Sequence, residues 1–126
     1  MNKVFTDVTT FLNAAGQSFP SEPDPAVSDL ANLYQNLIKE EVEEFWEAVD
    51  ENDDVEQLDA CFDMMWVIIG YMKARGWDCE SAWEEGAQSN LSKIDPTTGK
   101  VIRRADGKIL KPEGWQPPDF TKFVAK

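Results

Sequence analysis

The sequence predicts an all-α protein, with a four-helix bundle-like core over about residues 3–93, then a short C-terminal β-hairpin and irregular tail over about 94–126. Three observations predict it. Apolar residues recur at helical spacing through most of the chain. Most of the periodic runs start beside a capping residue or stop at a glycine. Past Lys93 the periodicity gives way to turn-forming pairs such as Asp106-Gly107. A length of 126 residues suits one domain with a modest core.

Val4, Phe5, Val8, Phe11 and Leu12 define the first helix, which Gly16 ends. Phe19 to Pro25 holds three prolines and reads as a loop. Asp24-Pro25 supplies a cap followed by a proline suited to a first helical turn, so the second helix is expected from about Pro25 to Asp50. The polar turn Glu51–Asp54 caps a third helix from about Val55 to Ala74, stopped by Gly76. Its later half, Met64 to Ile69, is apolar on every side and is expected to be the buried central helix. Asp78 caps a fourth helix reaching about Lys93. Val101–Arg104 and Lys108–Lys111 flank Asp106-Gly107 as a hairpin.

Charge narrows the function classes. Acidic residues outnumber basic ones 24 to 12, for a net charge of −12. That surface argues against a nucleic-acid polymer or an anionic membrane as partner. The longest nearly pure apolar run, Met64 to Met72, is far short of a bilayer span. With no signal-peptide pattern, a cytoplasmic protein with reduced thiols is expected. There is no histidine, which removes imidazole bases and His-containing zinc sites. Any chemistry falls to carboxylates, lysine, arginine and hydroxyls, or to a metal that carboxylates hold. The charge is also uneven: residues 1–92 carry −16 and residues 93–126 carry +4.

The acids fall on unexpected helix faces. With Leu30 set to zero at about 100° per residue, Glu41 lies at about +20° and Glu44 at about −40°, inside the apolar stripe. Glu40 sits at its edge, while Glu43 and Glu47 point outward. On the third helix Asp59 and Asp63, four residues apart, share a face that Trp66 continues. Two helices aiming carboxylates at a shared interior are destabilised unless something neutralises them. The helical body offers only Lys3, Lys39, Lys73 and Arg75. A hard divalent cation such as Mg²⁺, Mn²⁺ or Ca²⁺ resolves the conflict. An EF-hand does not: Val55 and Cys61 stand where its loop needs Gly and Glu.

Glu40-Glu41-Val42-Glu43-Glu44 resembles the E-E-x-x-E motif of the all-α nucleoside triphosphate pyrophosphohydrolases. That superfamily includes MazG-like proteins, phosphoribosyl-ATP pyrophosphohydrolases and dimeric dUTPases. Asp59 and Asp63 stand near its second acidic pair, although Ala60 occupies the place of the usual glutamate. Asn90-Leu91-Ser92-Lys93 is similar to its N-x-x-K segment, and Asp106–Trp115 to the tail of small MazG-like members. The resemblance implies Mg²⁺-dependent conversion of a nucleoside triphosphate to monophosphate and pyrophosphate, in nucleotide-pool house-cleaning, by a homodimer or homotetramer. It implies Glu41, Glu44, Asp59 and Asp63 as metal ligands, with Glu40 and Glu41 as the catalytic carboxylates. Asn90, Lys93, Arg103, Arg104 and Lys108 would meet the phosphates. Gln17, Trp66, Phe11 and Phe19 would lie near the base. The competing reading is a non-enzymatic acidic interaction protein, either a DNA mimic or a helical adaptor.

Overall fold

The structure is a computed structural model and describes residues 2–125. It is all-α, with α1 (Lys3–Ala14), α2 (Asp29–Asp50), α3 (Asp54–Ala74), α4 (Cys79–Leu91) and α5 (Thr121–Val124). Asn2, Ser28, Asp53 and Asp78 cap the first four by accepting a backbone N–H with the side chain. Gly16 and Gly76 follow α1 and α3 with φ of 70°, the left-handed stop that glycine takes without penalty.

Two expectations need correction. The second helix begins after Ser28, not at Pro25. The Asp24 carboxylate accepts from the Ala26 N–H in a local turn, and the Asp24 backbone is fastened to the end of α3. Asp24 N–H donates to the Arg75 carbonyl at 3.0 Å, and the Arg75 guanidinium donates back to the Asp24 carbonyl. That clasp fixes the loop in a non-helical path. The β-hairpin is not formed either: the described residues contain no strand. Residues 102–110 make a turn closed by one antiparallel bridge, Arg103 to Ile109. Ile102 and Ile109 stay about half exposed, so little apolar burial backs the bridge, and an isolated pair of strands is marginal in water.

The long helices α2 and α3 form an antiparallel pair joined by a three-residue turn. Partners run in opposite order along them, Gln35 meeting Tyr71 near one end and Gln57 reaching the Ala48 carbonyl near the other. α1 packs across α3. The core lies where these three meet: Phe5, Val8 and Leu12 from α1, Ala31 and Tyr34 from α2, Val67, Ile69 and Ala74 from α3. Tyr34 lies flat on Gly70, and any side chain at 70 would collide with its ring. Toward the α2–α3 turn the packing thins to Ala48 and Ala60. The central helix is not covered on every side. Val55, Leu58, Phe62 and Met65 form an exposed ridge along α3, with Leu58 72% accessible.

Candidate functional site

The thin end of the α2–α3 pair holds the acids. Glu41, Glu44 and Asp63 each offer a carboxylate oxygen, all within 4.8 Å of one another. Glu41 and Glu44 come one helical turn apart from α2, and Asp63 faces them from α3. The buried core ends one turn away at Val67 on α3 and two turns away at Tyr34 on α2, so the carboxylates lie where the apolar packing runs out. Glu41 Oε2 has no accessible surface and no hydrogen-bond partner. Burial, followed by the negative charge of Asp63 and the neighbouring Glu44 and Asp59, pushes the Glu41 carboxyl up to about 7. Asp63 is raised as well, by burial and then by the charges of Asp59 and Glu44. An orphaned buried oxygen beside carboxyls raised by burial and by neighbouring negative charge is a cluster that a cation would relieve.

Asp59 adds its charge beside Asp63 but is exposed and outside the three-carboxylate cluster. Ala60 is buried at 2% exposure where the helices come close. A glutamate there would have to displace that packing, which explains the acid standing one residue earlier. Glu40 is exposed beside Glu41 and joins no cluster.

The other predicted residues are scattered. Trp66, one turn beyond Asp63, stacks edge-on with Phe11 at 5.5 Å and packs with Phe62. Phe11 is half exposed, so an aromatic face lies open next to the acids. Gln17 accepts a hydrogen bond from the Tyr34 hydroxyl at 2.8 Å and so braces the core. Phe19 lies under the Lys73 ammonium, ten residues along α3 from Asp63. α4 ends at Leu91, short of the expected Lys93, and just past its end Lys93 donates to Asn90 Oδ1 at 3.2 Å and stacks on Trp115. Arg104 is held by Asp106 in a fork of two bonds, while Arg103 and Lys108 lie in the same exposed turn.

Reading the sequence missed Ser89 and Lys111, which meet Trp115. Their contacts join residues 26 and 4 positions apart across an irregular tail, and no local pattern announces them. The clasp of Gln35, Tyr71 and Arg75 at the far end of the helix pair was also missed.

Comparison with curated proteins gives no match. The family model for phosphoribosyl-ATP pyrophosphohydrolase matches residues 6–90. That span runs from α1 almost to the end of α4, includes all the clustered carboxylates, and leaves out Lys93 and the tail. No helix among the described residues is long and apolar enough to cross a membrane. With the match covering more than half of its length, the chain belongs to the phosphoribosyl-ATP pyrophosphohydrolase family, a family of nucleotide pyrophosphohydrolases.

Proposed function

We propose that the protein hydrolyses a nucleoside or deoxynucleoside triphosphate to the monophosphate and pyrophosphate, in Mg²⁺- or Mn²⁺-dependent, cytoplasmic house-cleaning of the nucleotide pool. The observation that carries this reading is the convergence of Glu41, Glu44 and Asp63 around an unpartnered buried oxygen. The donor set fits the metal: all oxygen, all anionic, with no imidazole or thiolate in the cluster. Glu41, Glu44 and Asp63 would hold the ion, with Asp59 alongside. When bound, such an ion neutralises phosphate charge and lowers the pKa of a coordinated water.

The chain's own residues supply the rest. Glu40, exposed next to Glu41, is the carboxylate left free to take a proton from the attacking water. Asn90 at the end of α4 and Lys93 just past it are assigned to the phosphates, and Arg103, Arg104 and Lys108 to the outer face of the same chain of phosphates. Trp66 and Phe11 offer an aromatic surface for the base one turn from the acids. Gln17 acts at one remove, by steadying Tyr34. A homodimer or homotetramer accounts for the exposed ridge from Val55 to Met65, which flanks the acidic face of α3. An acidic DNA mimic or adaptor accounts for the net charge, but it gives no reason to draw carboxylates together until one retains its proton near pH 7.

The test is a panel of ordinary and modified nucleoside triphosphates, monitored for pyrophosphate with Mg²⁺ and with EDTA. Release of pyrophosphate that chelation stops, and that Asp63→Asn and Glu44→Gln abolish, is expected. Turnover that survives exhaustive chelation, or near-normal rates in both variants, refutes it.

A further inference from the structure

α4 touches α3 only lightly, and hydrogen bonds from the chain that follows it also hold it in place. Trp115 Nε1–H donates to the Ser89 carbonyl at 2.8 Å, and the Ser89 hydroxyl donates to the Gln116 carbonyl at 2.9 Å. Ser89 is 9% exposed, so both bonds are sheltered. Farther along, the Asp119 N–H donates to Glu85 Oε1 at 3.1 Å, and the Phe120 ring rests where Gly86 leaves room for it. α5 then sets Phe123 and Lys122 into a cleft of about 530 Å³ walled by Phe19 and Trp77. Residues 115–123 therefore run back along α4 as a strap, from its last turn to its first.

The strap's first residue also organises charge. The Lys93 ammonium sits 5.0 Å from the Trp115 ring centroid while bonded to Asn90, and the Lys111 ammonium sits 5.0 Å from the same ring. Among the described residues neither lysine forms an ion pair, in a chain with 24 acidic residues. A lysine held on an aromatic face keeps its charge for another anion, whereas one held by a carboxylate does not. A lysine that merely complements the negative end of α4 would need no such support.

We propose that Trp115 is a positioning residue: it fastens the last turn of α4 and holds Asn90 and Lys93, with Lys111 beside them, in the arrangement that meets a polyphosphate. This rests on the pyrophosphohydrolase reading, in which the end of α4 contacts substrate. The strap lies outside residues 6–90, the part of the chain that the family model matches.

The experiment compares Trp115→Ala, Trp115→Phe and Ser89→Ala in the full chain by steady-state kinetics with Mg²⁺ and by hydrogen exchange of residues 86–93. Loss of the indole removes a sheltered hydrogen bond and a cation–π support. About a tenfold rise in KM with kcat changed less than about threefold is expected for Trp115→Ala. Trp115→Phe keeps an aromatic face and should restore part of that loss. Ser89→Ala, which loosens the strap from the other side, should raise KM in the same direction. Exchange should quicken in residues 86–93 and stay unchanged in α2 and α3. Unchanged exchange in all three variants overturns the strap. Faster exchange with unchanged KM overturns the positioning role. A wild type that cleaves no nucleotide overturns the functional reading and with it the role of Trp115, while the exchange data still decide whether the strap exists.

Discussion

Replacing Glu41 with Gln should stabilise the metal-free protein, the reverse of what a core substitution normally does. The amide keeps the shape of the carboxyl and removes a charge from the group whose Oε2 is both buried and unpartnered. The Glu41 carboxyl stands at about 7 in the folded chain against an ordinary 4.5. The folded state therefore holds a proton that the unfolded state has released between these values. Stability falls as pH rises through that window, and Asp63, raised in the same direction, adds to the fall. The full shift would correspond to about 3 kcal/mol above pH 7. Water reaches the open side of the cluster, and screening brings the expected cost to about 1–2 kcal/mol. In urea denaturation at pH 8 with EDTA, Glu41→Gln should thus gain about 1–2 kcal/mol, a rise in Tm of roughly 3–8 °C for a chain of this size. The gain should vanish as pH falls below 4.5, where both side chains are neutral in the folded and the unfolded chain. Saturating Mg²⁺ should reverse the order, because only the wild type keeps all three ligands. A variant less stable than wild type in EDTA at pH 8, or one with the wild-type pH slope, refutes the argument that these carboxylates repel one another.

Two further outcomes follow from the packing. Gly70→Ala should destabilise by about 1–3 kcal/mol in urea denaturation, since its methyl group meets the Tyr34 ring in the middle of the core; an unchanged midpoint would mean that α2 and α3 are not this close. Phe62→Asp places a charge on the exposed α3 ridge and should shift sedimentation toward monomer without altering helicity. Identical sedimentation at micromolar concentration would exclude that ridge as the contact between copies.

Much of this protein is written in short-range signals. Capping at Asp53 and Asp78 and the glycine stops at 16 and 76 act within one turn, so they can be read residue by residue. The rotation of 100° per residue is as local, and it suffices to bring Glu41 and Glu44 to the face of α2 that meets Asp63 on α3, although Glu44 is exposed there and not buried in the apolar stripe. Ser28 shows the limit. Asp24-Pro25 is as good a helix start as Ser28 when read alone, and only the bond between Asp24 and Arg75, 51 residues apart, decides between them. The turn at Asp106-Gly107 is equally legible, but the residues beside it make a single bridge and leave Ile102 and Ile109 exposed, too little to hold strands. It took the tertiary structure to show that Asp59 stays outside the cluster, that Ala60 is small because α2 and α3 approach each other there, and that Trp115 seats itself on Ser89. The sequence by itself determined the four long helices to within a few residues, but not α5 in the tail, and it set the face of α2 and α3 that carries the acids. Which of those acids lose water, and what holds α4, depends on how closely distant segments pack, because burial and long-range hydrogen bonds exist only once the helices have met.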